Sequence, residues 1–197
     1  PRTALEAAIA RAHELGARVT AHVFGEDALP DLLGAGIDGI EHGTGLSPEL
    51  IALMAERGVS MVPTLVNIDN FPLYAEQGEA RFPKYATHMR VLHERRYRTV
   101  NAAYEAGVPI FAGTDAGGVL PHGLVAQEVL QLAQAGIPAP DAVAAASWRA
   151  RAYLRGDSGV LMEGAPADLA VFSADPTTDP VTLLSPVRIV LRGKVVR

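Results

Sequence analysis

The chain has 197 residues, 49% of them hydrophobic, and a formal net charge of −5. That length permits a sizeable core, and the acidic balance argues against nucleic acid as a main partner. Cysteine is absent, which excludes disulfides, thiolate chemistry and cysteine-type zinc sites, so any bound metal must use histidine and carboxylate.

The sequence opens on Pro1 and enters a helical pattern at once, with Leu5, Ala8, Ile9 and Ala12 at helical spacing and Gly16 as the stop. No signal peptide is visible, no run approaches the roughly 18 apolar residues of a membrane span, and localisation stays open, with the cytoplasm as default. Arg18–Phe24 reads as a strand carrying Thr20 and His22 on one face. A helix with Leu29, Leu32 and Leu33 follows, then a strand over Ile37–His42. Ser47-Pro48-Glu49 is a helix start, with a capping hydroxyl, a proline at the first position and an acid in the first turn. That helix stops at Gly58, and Val59–Val66 is predicted as the next strand. Asn67–Tyr85, with Pro72, Gly78 and Pro83, is read as a long loop, either a lid or wall over the strand ends or a surface excursion. Met89, Leu92, Val100 and Ala103 then mark a helix ending at Gly107.

Next comes PIFAGTDAGG, Pro109–Gly118, an apolar strand at Ile110–Ala112 running into a glycine-flanked acid. Alternation puts Phe111, Gly113 and Asp115 on one face. A carboxylate there is costly unless a cation meets it, and the hypothesis is a metal whose other ligands in this chain are His22 and His42. Helices over Leu124–Ala135 and from Pro140-Asp141 to about Ala146 follow, and from Gly159 the texture turns to short β segments. Gly164–Asp168 reads as a turn and Arg192-Gly193-Lys194 as a hairpin tip. The predicted division is a half-barrel over residues 1–156 and a β domain over 157–197.

Four times a helix stops at a glycine and a strand begins, at Gly16, Gly36, Gly58 and Gly107. This cadence implies a parallel sheet with helices outside, and in such sheets ligands sit beyond the carboxyl ends of strands. His22, His42 and Asp115 all lie there. Alone, each histidine reads as a hydrogen-bonded core residue; together with Asp115 they form a ligand set for zinc or another divalent metal. A metal so held lowers the pKa of its water to about 7 and yields a hydroxide nucleophile, and a carboxylate beside it can relay the proton. His13, His88 and His93 read as surface residues, the basic run Arg90–Arg98 as a solvated helix face, and Trp148 as packing between the helical part and the tail.

The segments T-A-His22, I-E-His42-G and G-T-Asp115-A-G, in that order, resemble the metal-dependent amidohydrolase superfamily, nearest to its imidazolonepropionase-like and prolidase-like members. GVLMEGAPADLAVFSADP resembles the segment in which such chains return to a small β-sandwich. The resemblance implies the second half of a (β/α)8 barrel, strands five to eight, plus the C-terminal part of the sandwich. It implies His22 and His42 as ligands after the fifth and sixth strands, and Asp115 as ligand and proton shuttle after the eighth. His122 is a candidate substrate contact or a surface histidine; Thr64 is a candidate pocket residue or a core-facing threonine.

No H-x-H pair occurs in this chain, although the family carries one on its first strand, and a complete barrel needs about 250 residues. The expectation is therefore a C-terminal fragment, inactive alone, whose open sheet edges need the missing N-terminal half or homo-oligomeric contacts. The intact protein would hydrolyse amide (C–N) bonds of a small molecule, non-peptide or dipeptide-like, using one or two metal ions. The alternatives are phosphotriesters or lactones as substrates, or a non-catalytic scaffold of the same fold.

Overall fold

A computed structural model describes residues 1–155 and 159–197; the boundary expected between 156 and 157 lies outside the described residues. After helix α1 (Arg2–Glu14), strand β1 (Thr20–Val23), helix α2 (Leu29–Gly34), strand β2 (Gly39–His42), helix α3 (Pro48–Arg57) and strand β3 (Ser60–Val62) alternate. The three strands form a parallel sheet in the order β1-β2-β3, with Thr20 beside Gly39, His22 beside Glu41 and Glu41 beside Val62. The fourth expected strand is reduced to one parallel bridge between Met61 and Ile110. Met61 N donates to Pro109 O at 2.8 Å and Phe111 N to Met61 O at 3.0 Å, but Ala112 N turns away to Ala145 O at 3.0 Å. The ladder therefore ends where the chain bends toward Asp115.

Strand alternation and parallel register give the sheet two unlike faces. Val23, Ile40, Met61 and Ile110 are buried against the helices, whereas His22 is exposed and Glu41, Val62 and Phe111 are half-buried on the other face. The buried face belongs to a core that takes Ile9, Leu29, Leu33, Ile51, Met54, Val100 and Leu132 from the surrounding helices. Each such side chain contributes about 1.5–3 kcal/mol by leaving water. Helix α3 shows why the local sequence works: Ser47 Oγ accepts from Leu50 N at 3.3 Å, Pro48 opens the helix, and Gly58 closes it in the left-handed conformation at φ 66°.

The segment 67–85 is helical, not an irregular loop. It comprises the second half of α4 (Leu65–Ile68), α5 (Phe71–Gly78) and the start of α6 (Pro83–Glu105). Pro72 and Pro83 occupy first-turn positions of α5 and α6, where a missing N–H costs nothing. These helices bury Ile68, Phe71, Ala75, Ala86, Met89 and Leu92 in a second core, with Phe24 and Tyr74 packed against it. The expected strand over 59–66 correspondingly stops at Val62, and Thr64 precedes α4 in the left-handed region.

Helices α7 (Val125–Gln134), α8 (Ala139–Ala145) and α9 (Trp148–Arg155) follow, and Trp148 packs on the main core. Strands β4 (Leu169–Val171), β5 (Arg188–Leu191) and β6 (Lys194–Val195) form an antiparallel sheet in that order. The β5–β6 turn has positive φ at both Arg192 (51°) and Gly193 (75°), the conformation that suits a two-residue hairpin. Asp168 ties this sheet to α9, accepting from Arg192 N at 2.6 Å and Arg151 Nη1 at 2.9 Å. Among the described residues no helix is long and apolar enough to cross a membrane.

Candidate active site at the strand ends

His22 lies within β1 beside Glu41, and His42 closes β2 beside Val23 with a left-handed backbone at φ 68°; the two rings meet with centroids 4.6 Å apart, edge to face. Phe24 packs on both, 4.5 Å from each ring, and passes the contact to Phe71 at 4.8 Å. The wall formed by α5 thus reaches the histidines through one phenylalanine. Tyr74 stands behind Phe71 at 6.4 Å. The loops that carry both histidines out of the sheet are interlocked: a Cβ on Gly45 would sit 2.4 Å from the Gly25 carbonyl carbon. Thr44 Oγ1 also donates to Phe24 O at 2.7 Å, and Arg95 of α6 donates to Thr44 O at 3.1 Å.

His42 is 4% exposed, and its Nδ1 lies 2.6 Å from Thr64 Oγ1. Burial, with His22 alongside, holds its pKa down at about 4 against the opposing pull of Asp115, so the ring is neutral at pH 7. Asp115 is on the open side of the sheet, where Asn67 Nδ2 donates to its Oδ2 at 2.9 Å and Tyr74 Oη donates to Asn67 Oδ1 at 3.5 Å. Its negative charge is felt by three neighbours. It opposes the downward shift of His42, adds to the burial that raises the Glu41 carboxyl, and adds to the burial that raises the Tyr74 phenol.

Two imidazoles, one of them neutral, and a carboxylate are a donor set suited in kind to a divalent metal of borderline softness. With Nδ1 engaged by Thr64, Nε2 is the nitrogen of His42 left for a ligand, the usual arrangement around a metal-binding histidine. Among the described residues no three His, Asp or Glu side chains are already gathered as a closed metal cluster.

Of the other candidates, Thr64 is buried at 2% exposure with its hydroxyl turned to His42. His122 lies on an exposed loop, its Cε1 3.2 Å from where a Cβ on Gly117 would stand. Residues that sequence reasoning passed over are Phe24, Asn67, Tyr74, Glu41 and above all Glu128. Glu128 is wholly buried on α7, and its two carboxylate oxygens accept from Leu65 N and Val66 N, each at 2.9 Å. Its signal was readable: an acid beside Val129 and one turn before Leu132 on the apolar stripe of a helix. A cleft of about 420 Å³ between Val108–Phe111 and α8–α9 contains none of these groups. The convergent polar side chains, not that cleft, make the candidate site.

Alternating strands and helices with polar groups gathered near the carboxyl ends of a parallel sheet define an α/β unit with its candidate site at the strand ends. The chain belongs to the amidohydrolase family, which it matches over residues 1–196. It is 53% identical over 190 residues to an uncharacterized protein of Mycobacterium tuberculosis, covering 96% of this chain and 50% of that one. It is 29% identical over 165 residues to the ochratoxinase of Aspergillus niger, covering 82% of this chain and 33% of the enzyme. Among solved structures, a Xaa-Pro dipeptidase with methionine bound in its active site superposes with a TM-score of 0.83 at 29% identity, covering 99% of this chain and 48% of that one. The chain spans half or less of the length of these relatives.

Proposed function

We propose that this chain is one half of the catalytic barrel of a metal-dependent amidohydrolase that cleaves the C–N bond of a small dipeptide-like or N-acyl substrate. The ochratoxinase and the Xaa-Pro dipeptidase among its relatives support that substrate class. In this reading the three-stranded sheet and the segment bridged at Ile110 correspond to strands five to eight, the antiparallel tail belongs to a β-sandwich, and the remaining barrel wall comes from further polypeptide or a second copy. The observation that carries the proposal is the rim itself. His42, Thr64 and Asp115 are non-glycine residues with left-handed backbone, at φ 68°, 49° and 53°, and His22 touches the first of them. Such strain persists only where surrounding structure enforces it, and it concentrates at functional sites.

His22, His42 and Asp115 would hold a zinc or similar divalent ion, one or two in the complete site. Bound there, the metal would polarise the scissile carbonyl and acidify a water. The residues of this chain do the rest. Neutral His42 offers a lone pair without having to lose a proton. Asn67 holds Asp115 by Oδ2 and leaves Oδ1 to take the proton from the attacking water and deliver it to the departing nitrogen, which cannot leave as an amide anion. Phe24, Phe71 and Tyr74 wall one side of the rim against solvent.

In the complete protein, Asp115→Asn should lower kcat by about 100-fold or more while KM moves little, the mark of a group acting in the transition state. Equal changes in both, or none, would remove the assigned role. The 197-residue chain alone should bind zinc weakly and show no turnover. Stoichiometric zinc retained through mild chelation, together with amide hydrolysis, would show that the half-site suffices. A complete protein that is folded but metal-free would favour the scaffold reading.

A further inference from the structure

The two rim residues with hydrogen-bonded partners are held from a single turn of chain. Thr64, just before α4, meets His42 Nδ1 at 2.6 Å, and Asn67, within α4, donates to Asp115 Oδ2 at 2.9 Å. That turn cannot stabilise itself. Helix α4 has four residues, too few to overcome the cost of nucleation, and it is entered through a β-branched residue at φ 49°, a conformation costing such residues about 1–2 kcal/mol. Its first two amide protons point at Glu128, whose carboxylate receives one on each oxygen. Glu128 has no exposure to solvent, and no basic side chain bonds to it among the described residues. An acid placed there without a cation is expensive, and packing alone would be served better by leucine.

We propose that Glu128 is a positioning residue: its buried carboxylate clamps the 64–67 turn, and through Thr64 and Asn67 that turn sets the orientation of His42 and Asp115. One group on α7 thereby controls two side chains far apart in sequence, one at the end of β2 and one beyond the Ile110 bridge. Glu128 touches neither of them, so its effect must appear in their geometry and not in direct contact with substrate. The clamp rests on the hydrogen bonds of Glu128, Thr64 and Asn67; only its catalytic consequence depends on the amidohydrolase reading above.

The test reads the His42 ring by nitrogen-15 NMR in the full chain at pH 7.5 with chelator present, with assignment by His42→Asn. The unsubstituted chain should show one predominant tautomer, with the proton on Nδ1 and Nε2 free. Glu128→Gln replaces one acceptor with an N–H pair that opposes a backbone amide, and should convert His42 to a mixture of tautomers. Thr64→Val should do the same directly. Val129→Ala, a buried change of ordinary packing one residue away, should leave the tautomer intact. A folded Glu128→Gln chain with the His42 pattern unchanged overturns the proposal. If that variant does not fold, Glu128→Asp, which retains the charge one methylene shorter, carries the same comparison.

The unsubstituted chain gives an independent check. The Leu65 and Val66 amides should exchange with solvent as slowly as those of the α6 core, and fast exchange at both overturns the clamp. Titration with Zn²⁺ separates this inference from the functional one. If Glu128→Gln mixes the tautomers and weakens zinc binding by about 10–100-fold, the range expected for an outer partner of a ligand, both stand. Mixed tautomers with unchanged zinc affinity leave the clamp standing and remove the metal assignment.

Discussion

At the scale of single residues, two buried titratable groups pull the chain in opposite directions as pH changes. His42 ionises at about 4 in the fold against an ordinary 6.5, because burial beside His22 penalises the cation. The unfolded chain therefore binds the extra proton first, and stability is lost as pH falls through that interval. Glu128 ionises at about 7 against an ordinary 4.5, because burial outweighs its two amide bonds. Here the folded chain binds the proton first, so stability is lost as pH rises from 4.5 to about 7. The two windows overlap between 4.5 and 6.5, where the contributions offset each other, each on the order of 3 kcal/mol across its full range. Urea denaturation of the metal-free full chain should find stability nearly level there. His42→Asn, in which asparagine tolerates the left-handed backbone, removes one slope and should leave stability declining by on the order of 3 kcal/mol from pH 4.5 to 7. Parallel curves for the two proteins would contradict the opposed assignment.

Among the elements, α5 shows how packing serves the rim. Phe71 is fully buried and meets Phe24, the ring that contacts both histidines, edge to face at 4.8 Å. Phe71→Ala should cost about 3–5 kcal/mol as a large core truncation, and the His22 and His42 ring resonances should shift with it. Leu92→Ala in the same cluster should cost about 2–5 kcal/mol without that shift. Gly45→Ala should destabilise by about 1–3 kcal/mol, since its new methyl meets the Gly25 backbone and neither loop can retreat without moving a histidine. Much of this architecture was legible in sequence. Gly16, Gly36, Gly58 and Gly107 all adopt positive φ at helix ends, and those stops exposed the strand–helix cadence. The α5 region was misjudged because Pro72 and Pro83 were read as breakers, although first-turn prolines start helices. His22, His42 and Asp115 could be named as candidates because that requires only local pattern, and the fold brings the two histidine rings into contact. Their support was not legible. Glu128 was passed over although it is an acid on an apolar stripe, and its partners at Leu65 and Val66 lie 63 and 62 residues away, so that only folding brings them together.

For the whole molecule, the sheet has one face sealed by helices and another open. His22 is exposed and Glu41, Val62 and Phe111 are only half covered. The outer edge of β1 has no strand beside it among the described residues. On the other side, the Met61–Ile110 bridge is followed by Ala112 bonding to α8 instead of to a strand. An unpaired parallel edge next to a partly apolar face is a template for another chain. Produced alone, the 20.7 kDa chain should therefore self-associate, its apparent mass in light scattering rising with concentration. Thr20 is exposed on β1 and faces the open side, so Thr20→Lys would put a charge on the edge strand, the device natural sheets use against edge-to-edge pairing. That variant should shift the distribution toward monomer while leaving helical circular dichroism unchanged. Co-expression with a polypeptide corresponding to the other half of a relative's barrel should do so without any substitution, and should raise zinc retention if the rim is completed across the same open face. A chain that stays monomeric at about 100 μM and is unaffected by either change would mean that this face is stable in water as it stands. The chain would then be a self-sufficient unit, and the proposed partner for its open edges would have no physical basis.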